Sequence, residues 1–397
     1  MMEAWRKIRL GDACMVNTDS YSHKEAWTFV NYLDTGSITN NRIDSIQHID
    51  LNIEKLPSRA RRKVKKNSII YSTVRPNQRH FGIIKSQPEN FLVSTGFAVI
   101  DTEPQLLDAD YLYYLLTQTA LVEALHAIAE QSTSAYPSIK ASDIEDLIID
   151  IPDLATQKKI ASVLGCLDRK MLQNTEINDN LQRLAHALYK AWFIDYLPFD
   201  GRRPDSWKNG RLKDILNLKR NSIKPGERLD LPYLPIDVIP MSTFALSDVK
   251  PNEEAQSSLI TFDKDDIVIG AMRVYFHRVI IAPFEGITRT TCFTLAPADK
   301  DYLCFGLLCC DQDSSIEYAQ TTSKGSTMPY AVWEGGLGDM EVIIPDKQTA
   351  HAFNEIVLPM IKVIQSSFEE TKRLQDIRNI LLPCLMSGKL DATGLIP

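Results

Sequence analysis

Residues 5–12 read Trp-Arg-Lys-Ile-Arg-Leu-Gly-Asp, and residues 207–214 read Trp-Lys-Asn-Gly-Arg-Leu-Lys-Asp. Both stretches fit the pattern Trp-x-x-x-Arg-Leu-x-Asp, and the second begins 202 residues after the first. Similarity at a nearly constant displacement is the mark of an internal repeat, and a repeat determines the architecture of a whole chain. Further matches in the same order would therefore indicate a duplicated domain.

Five more pairs of segments match in the same order along the 397 residues. They are residues 68–75 with 266–273, 94–97 with 290–293, 110–112 with 301–303, 132–136 with 326–330, and 151–153 with 344–346. The displacement drifts from 202 residues at the first pair to 193 at the last, as small loop insertions between two copies would produce. Six matches in one order predict a tandem duplication.

Each copy begins with segments typical of β-strands, which are short, rich in β-branched and aromatic residues, and bounded by Pro, Gly, Asn or Asp. They are residues 68–74 and 91–100 in the first copy and residues 266–272 and 289–295 in the second. A stretch with helical apolar spacing follows in each copy, at residues 110–129 and 301–320. The polar residues 132–138 and 323–330 then predict exposed loops.

After each Ile-Pro-Asp, the pattern becomes that of a long helix whose seam residues are spaced by alternating steps of four and three. The first series is Ile160, Leu164, Leu167, Met171, Asn174, Asn178, Leu181, Ala185, Leu188 and Trp192. The second, 193 residues further on, is Phe353, Val357, Met360, Ile364, Ser367, Thr371, Leu374, Arg378, Leu381 and Leu385. Except at Arg378, the two series are apolar at the same positions and polar at the same central ones. Heptad spacing of this kind predicts a coiled coil.

The central polar residues of the two series indicate how the helices pair. A polar residue at a coiled-coil seam lowers stability unless it meets a polar partner, and can then fix the register. The antiparallel pairing that satisfies this condition joins Ile160 with Leu385, Asn174 with Thr371, and Asn178 with Ser367. A seam of this length spans about 50 Å, the length of about 14 base pairs of DNA. Two separate amphipathic helices, each docked on its own domain, are the alternative.

The composition is that of a folded protein of two or three domains, since 44% of the 397 residues are apolar. The N-terminus lacks an apolar stretch of signal-peptide length, and the apolar runs are too short to span a bilayer, so we expect a cytoplasmic protein. The seven cysteines form no Cys-x-x-Cys pair. The cysteine cluster, Cys304 with Cys309 and Cys310, lies in a strongly apolar stretch, so we expect buried thiols there rather than metal ligands.

The net charge of −7 is unfavourable for nucleic-acid binding, because phosphate groups attract a positive surface. Residues 55–66 are an exception and read Lys-Leu-Pro-Ser-Arg-Ala-Arg-Arg-Lys-Val-Lys-Lys. A local block of cations can attract a phosphate backbone even in an acidic chain. A solvated surface face is the alternative interpretation of this block.

The sequence offers no motif of a self-contained enzyme. It has no Gly-x-Gly-x-x-Gly after a strand, no Walker loop, no His-Glu-x-x-His pair, and neither of the motifs that adenine methyltransferases use. The seven histidines are scattered and lack metal-ligand spacing. Carboxylate clusters at residues 143–146 and 263–266 have the ligands that Mg²⁺ prefers, but their positions at a helix start and a strand start favour solvated turns. We predict no catalytic residue and no metal site.

The run Ile-Pro-x4-Gln-x2-Ile-Ala-x2-Leu-x3-Asp at residues 151–168 resembles a helical region of type I restriction-modification specificity subunits. The closing run Leu-Leu-Pro-x-Leu-Met-Ser-Gly-x-Leu at residues 381–390 resembles the second such region, and Gly-Ser-Thr-x-Pro at residues 325–329 resembles the recognition domains of that family. The resemblance covers nearly the whole chain. The copies depart from it at three positions: Ala350 stands where the first copy has Gln157, Phe353 where it has Ile160, and Gln131 where the second copy has Gly325.

The resemblance implies an α+β fold with two tandem target recognition domains, separated by two long helices packed as an antiparallel coiled coil. The boundaries we predict are residues 1–152 and 199–345 for the two recognition domains, and residues 153–198 and 346–390 for the two helices. Each domain would read one half of a bipartite target in double-stranded DNA, and the helices would set the gap.

The resemblance also implies partners. Two modification subunits would methylate adenine with S-adenosylmethionine, and restriction subunits would hydrolyse ATP and cut the DNA, with Mg²⁺ expected on partner subunits. The chain itself would bind no cofactor, supply no catalytic residue and contact no membrane.

Candidate DNA contacts are the residue types that bind phosphates and base edges, with most weight on positions matched between the copies. They comprise the basic block, the arginines that end matched strands, and the matched hydroxyl loops: Arg59, Arg61, Arg62, Lys63, Lys65, Lys66, Arg75, Arg79, Ser132, Thr133, Tyr136, Arg273, Arg278, Ser326, Thr327 and Tyr330. Structural salt bridges for the arginines and local capping for the hydroxyls are the alternatives. A self-contained DNA-modifying or cutting enzyme with an unrecognised site, and a scaffold that binds no DNA, are the rival functions.

Overall fold

The computed structural model describes residues 5–22, 24–131, 137–246 and 248–392. The chain divides into two compact units. The first unit contains residues 1–168 and 377–397, and the second contains residues 169–376. Two long helices each contribute one segment to each unit. Both units combine antiparallel sheets with helices, so the predicted α+β class is confirmed.

The first unit contains twelve strands among its described residues. They are β1 (Arg6–Arg9), β2 (Cys14–Val16), β3 (Phe29–Leu33), β4 (Ile38–Thr39), β5 (Arg42–Ile43), β6 (Gln47–Asp50), β7 (Ala60–Lys63), β8 (Ile69–Ser72), β9 (Phe81–Ile83), β10 (Phe91–Ser94), β11 (Phe97–Thr102) and β12 (Ile148–Ile151). Its helices are α1 (Ala109–Leu116), α2 (Thr119–Glu130), α3 (Ala141–Glu145) and the first part of α4 (Leu154–Tyr189).

The strands of the first unit form two four-stranded sheets in the orders β2-β11-β8-β9 and β6-β3-β10-β7, while β1 pairs with β12 and β4 with β5. Only the pair β3 and β10 is parallel. The larger core of this unit joins the first sheet to α1, α2 and the long helices, where Ile160, Leu164 and Leu385 are at most 1% exposed. Burial of this apolar face, rather than helix propensity, holds the helix ends in place.

The second unit repeats part of this plan. Its strands are β13 (Lys208–Arg211), β14 (Leu216–Leu218), β15 (Ser222–Ile223), β16 (Leu259–Phe262), β17 (Ile267–Gly270), β18 (Val279–Ile281), β19 (Gly286–Arg289), β20 (Cys292–Pro297) and β21 (Glu341–Ile344). Its helices are α5 (Leu303–Cys310), α6 (Asp313–Thr321) and most of α7 (Lys347–Met386). The sheet order β14-β20-β17-β18 reproduces the order β2-β11-β8-β9, and β13 pairs with β21 as β1 pairs with β12. The duplication therefore extends to the topology of this sheet and of the terminal strand pair, while the other sheet of the second unit has three strands in the order β15-β16-β19.

In each copy, the single helix that the sequence predicts is divided into two. Residues 110–129 form α1 and α2, and residues 301–320 form a 3₁₀ turn, α5 and α6. The breaks fall at Gln118 and Gln312, whose extended backbone (ψ of 135° and 142°) ends the helical hydrogen bonding. Every residue of α5 is buried, so this helix runs through the core, and the chain must turn before α6.

The predicted seam residues are all buried or half-buried. Within the first unit, Arg378, the exception in the seam pattern, donates a hydrogen bond of 3.1 Å from Nη1 to Asp168 Oδ1. The other oxygen of Asp168 accepts a hydrogen bond of 2.7 Å from the hydroxyl of Tyr114. The cation therefore has a carboxylate partner at the seam, which explains why it is tolerated there.

Helix α4 continues into a π-helical turn at Lys190–Ile194, within the second unit. The turn directs Phe193 into the core, where its ring centroid lies 4.7 Å from that of Phe353 and 4.8 Å from that of Phe305. Edge-to-face aromatic pairs at these distances add to the stabilisation from burial. The aromatic cluster therefore fixes α4, α5 and α7 to one another inside this unit.

Candidate nucleic-acid interface

The basic block lies on and beside β7, which is an edge strand of its sheet. Arg59, Arg61, Lys65 and Lys66 are exposed. Among the ion pairs of the described residues, this group has one, a contact of 3.6 Å between Lys65 Nζ and Asp101 Oδ2. An exposed cation without a close carboxylate remains available to a phosphate oxygen. These four side chains form an exposed cationic surface on the first unit.

Two other members of the block are engaged inside the domain. Lys63 Nζ lies 2.5 Å from Glu25 Oε2 and 5.3 Å from the centroid of the Trp27 ring. Arg62 is half-buried, and burial lowers the pKa of its guanidinium. Of the six candidate cations in the block, four are thus exposed and two pack within the domain.

Arg75 and Arg273 begin a matched pair of turns, each of which follows the central strand of its sheet. We name residues 75–79 turn 1 and residues 273–277 turn 2. Each consists of a residue with left-handed backbone, a three-residue 3₁₀ turn, and a second left-handed residue. The φ angles are 46° and 57° at the two ends of turn 1, and 48° and 52° at the two ends of turn 2. Residues with a side chain rarely adopt this conformation.

The last residue of each turn is tied to the helical segment that follows. In turn 1, Arg79 Nη2 donates a hydrogen bond of 3.0 Å to Thr119 Oγ1, at the first residue of α2. In turn 2, His277 Nε2 lies 2.8 Å from Asp311 Oδ1, at the end of α5. His186 of α4 contacts the second oxygen of Asp311 at 2.9 Å.

This arrangement places two imidazole rings on one carboxylate that is 4% exposed. The hydrogen bond to Asp311 raises the pKa of His277, against the opposing effect of burial. The link connects turn 2 to α4 and α5 inside the second unit.

Arg278, a candidate DNA contact, is engaged within its own domain. Its Nη1 donates to the backbone carbonyl oxygens of Ile236, at 2.8 Å, and of Ile239. Its Cζ atom lies 5.6 Å from the centroid of the Phe276 ring. Arg273, in contrast, is exposed, and its Cζ lies 6.0 Å from the same ring. Of the two arginines, Arg273 is the one whose guanidinium is presented to solvent.

Of the two matched hydroxyl loops, the one in the second copy lies within the described residues. Ser132, Thr133 and Tyr136 lie outside the described residues. In the second copy Ser326 and Thr327 are exposed, and Tyr330 is 45% exposed.

The backbone holds the second loop closed. Tyr330 and Lys324 exchange two hydrogen bonds of 2.9 Å between their backbone N–H and C=O groups. Gly325 has a φ of 89°, and a Cβ atom there would lie 2.9 Å from the carbonyl oxygen of Met328, so the loop requires glycine at this position.

The carboxylate clusters are occupied by cations and backbone groups of the chain. Lys219 Nζ lies 2.6 Å from Asp263 Oδ2 and 2.7 Å from Asp266 Oδ2. Lys362 Nζ lies 2.5 Å from Asp265 Oδ1. In the first unit, Asp143 Oδ2 accepts a hydrogen bond of 2.7 Å from the backbone N–H of Lys140 at the start of α3. These contacts agree with a structural role for both clusters.

The described residues contain no group of three or more His, Cys, Asp or Glu side chains placed to hold a metal ion. They also contain no helix with the length and apolar character needed to cross a bilayer.

The polar layer of the long helices lies within the second unit. Asn178 Nδ2 donates a hydrogen bond of 2.6 Å to Ser367 Oγ, and Asn174 Nδ2 donates to Thr371 Oγ1 at 3.3 Å. Asn174 Nδ2 also donates to Glu370 Oε2 at 2.8 Å. Residue numbers rise from Asn174 to Asn178 along α4 while those of their partners fall from Thr371 to Ser367 along α7. The two helix segments of this unit are therefore antiparallel.

The residues at the tips of the two turns, Asn77 and Gln78 in turn 1 and Tyr275 in turn 2, are not among the candidates that the sequence pattern indicates. All three are exposed. The signal was present in the shared spacing Arg-x-x-x-(Arg/His) directly after matched strands. The backbone conformation that makes these residues tips depends on tertiary contacts, and spacing alone does not reveal it.

Residues 2–183 match the family model described as type I restriction modification DNA specificity domain. The HindI specificity subunit of a type I restriction enzyme from Haemophilus influenzae is 24% identical over 469 residues, which covers 98% of this chain and all of that protein. The MjaIX specificity subunit from Methanocaldococcus jannaschii is 28% identical over 312 residues, covering 71% of this chain and 69% of that protein. The fold is similar to that of a type I restriction-modification S subunit from M. genitalium, with a TM-score of 0.59, 16% identity and 96% of each chain covered.

Proposed function

We propose that the chain is the sequence-reading subunit of a type I restriction-modification complex, because residues 2–183 match the family model of the DNA specificity domain and the chain is similar in sequence to two specificity subunits. Each of its two recognition domains reads one half of a bipartite target in double-stranded DNA. The observation that carries this proposal is the repetition of one sheet order and one strained turn in both halves of the chain, with different side chains at the turn tips.

A duplicated frame with different exposed side chains is what two domains need if they read different base sequences. Base identity is read by hydrogen bonds and apolar contacts to base edges, while contacts to phosphates position the protein without specifying sequence. Arg59, Arg61, Lys65 and Lys66 supply the phosphate contacts of the first recognition domain. Their loss should weaken binding to all sequences alike.

The spacer between the two domains consists of residues 153–198 and 346–390, with the recognition domains at residues 1–152 and 199–345. The hydrogen bonds from Asn174 and Asn178 support a fixed register of these helices, because a one-turn slip would leave buried polar groups without partners. We propose that this register sets the gap between the half-sites.

The chain carries a net charge of −7, so it has little counterion release to use for binding DNA on its own. We therefore propose that it acts inside an assembly in the cytoplasm with two modification subunits and with restriction subunits. The modification subunits supply S-adenosylmethionine and the methylation chemistry, and the restriction subunits supply ATP hydrolysis and Mg²⁺-dependent cleavage. This chain supplies specificity and no reacting group.

The test is to express the chain together with the modification subunit encoded beside it and to sequence the methylated adenines of the host DNA. The expected result is methylation confined to a two-part motif with a fixed gap. Replacing residues 1–150 with those of a relative should change one half of the motif only. Methylation that is absent, or that persists when this chain is deleted, would overturn the proposal.

A further inference from the structure

Turn 1 and turn 2 have the same backbone conformation, and matching contacts hold it in place. The N–H of the first residue of each turn donates to a proline carbonyl in the hydroxyl loop, from Arg75 to Pro137 at 3.0 Å and from Arg273 to Pro329 at 2.9 Å. The second residue of each turn, Pro76 or Val274, is buried. A conformation that residues with side chains rarely adopt persists only where the surrounding structure determines it.

The fifth residue closes each turn. Its backbone N–H donates to the carbonyl of the second residue, at 3.0 Å in turn 1 and at 2.9 Å in turn 2. Its side chain reaches the helical segment that follows, from Arg79 to Thr119 and from His277 to Asp311. Three contacts that define the turn, and the burial of its second residue, are thus present in both copies, although only the arginine at its first position is shared in sequence.

The third and fourth residues of the turns differ in chemistry. Turn 1 carries Asn77 and Gln78, which are both exposed. Turn 2 carries Tyr275, which is 46% exposed, and Phe276, whose ring lies 5.0 Å from that of Tyr275. The shared backbone thus presents two amides to solvent in turn 1 and an aromatic ring in turn 2.

The exposed groups suit the edges of bases. The amides of Asn and Gln carry a donor and an acceptor that match the N6 and N7 atoms of adenine, and a guanidinium matches O6 and N7 of guanine. In the described part of the chain, no carboxylate forms an ion pair with Arg273. Its guanidinium and the ring of Tyr275 stand on the same short turn.

We propose that turns 1 and 2 are the base-reading elements of the two recognition domains. Asn77 and Gln78 read a base edge in the first half-site, with adenine as the favoured base, and Arg273 and Tyr275 read the second. This inference rests on the proposed function and deepens it, because it names the side chains that distinguish one target from another.

The test uses the complex of this chain with its modification subunits and compares three variants with the wild type. They are the double variant Asn77→Ala/Gln78→Ala, the variant Tyr275→Ala, and Gln105→Ala, which removes an exposed amide on another loop of the first unit. The readout is the fraction methylated at every adenine of a plasmid library that contains all single-base changes of the motif. Thermal unfolding of each complex checks that the exposed substitutions leave the fold intact.

For the double variant, we expect methylation to rise about 10-fold, relative to the intact motif, at sites with a single-base change at one or two positions of one half only. A good bidentate contact contributes about that discrimination. Tyr275→Ala should relax the other half, and Gln105→Ala should relax neither. Unchanged motifs in both tip variants would overturn the inference and leave the proposed function standing. A uniform fall at all sites would also overturn it, because it would assign the turns to phosphate binding. If the wild-type complex shows no motif that depends on this chain, the proposed function fails and the inference fails with it.

Discussion

The side-chain amide of Asn178 donates a hydrogen bond of 2.6 Å to the hydroxyl oxygen of Ser367, and the two residues are 6% and 8% exposed. They lie on helix segments of the second unit that run in opposite directions. A buried donor without a partner costs more free energy than the hydrogen bond contributes when it is formed. The pair is therefore a determinant of helix register as well as of stability.

Replacement of one partner should destabilise the second unit. Ser367→Ala leaves the Asn178 amide without its acceptor and should lower the free energy of unfolding by about 1–3 kcal/mol. The double variant Asn178→Leu/Ser367→Ala should recover most of that loss, because removing both polar groups can be nearly neutral. Urea unfolding of the single and double variants measures the coupling. Additive losses would show that the pair does not act as a unit.

Removal of an exposed cation from the basic block should weaken DNA binding without changing the sequence preference. Arg61→Ala or Lys66→Ala should each reduce the slope of log K against log salt concentration by about 0.9. Lys63→Ala is the matched control and should change the slope less, because Glu25 already neutralises this ammonium at 2.5 Å. Fluorescence anisotropy of the assembled complex on a labelled duplex, at several salt concentrations, measures the slopes. Equal changes for Lys63 and Lys66 would contradict the division of the block.

The contact between His277 and Asp311 should make the stability of the second unit depend on pH. The hydrogen bond to Asp311 raises the pKa of His277 in the folded state. The stabilisation that this contact gives is therefore fully present below the pKa that His277 has in the unfolded chain. It is lost as the pH rises from about 6.5 through the higher folded value. Three further groups face this site, since Asp313 lies 3.7 Å from His277 Nδ1, His186 shares Asp311, and the carbonyl of Asp311 contacts His277.

Thermal unfolding between about pH 5.5 and about pH 8.5, a range that includes the ordinary histidine pKa of about 6.5, checks this expectation. The wild type should lose stability across the upper half of the range, while His277→Gln and Asp311→Asn should each flatten the dependence. A wild-type curve that rises with pH would contradict the assigned direction.

Arg278 should prove to be a residue of the fold rather than of the DNA contact. Arg278→Lys should lower the free energy of unfolding by about 1–3 kcal/mol, because one ammonium cannot replace the guanidinium at the carbonyls of Ile236 and Ile239. Arg273→Lys is the matched control and, being exposed, should change stability by less than about 0.5 kcal/mol. Thermal unfolding separates the two. An Arg278 variant of normal stability that loses methylation would contradict this assignment.

The sequence by itself determined the duplication, the α+β class, and the seam of the long helices with its polar layer. The α+β class was implied by the resemblance to a known family. The duplication and the seam rest on a displacement and a period that recur many times along the chain, so that single departures such as Arg378 do not erase them. The pairing of Asn178 with Ser367 was accessible for the same reason, because heptad positions define which residues meet once the helix direction is chosen.

Only the tertiary structure decided which cations face solvent and which side chains the turns present. Arg278 and Arg273 stand five residues apart in the same basic segment, yet the first meets carbonyls of residues 236 and 239 and the second meets solvent. The same holds for Gln118 and Gln312, where packing of the preceding helix in the core ends a helix that the apolar spacing would continue. Such outcomes depend on one contact between distant segments, and a single contact leaves no periodic trace in the sequence.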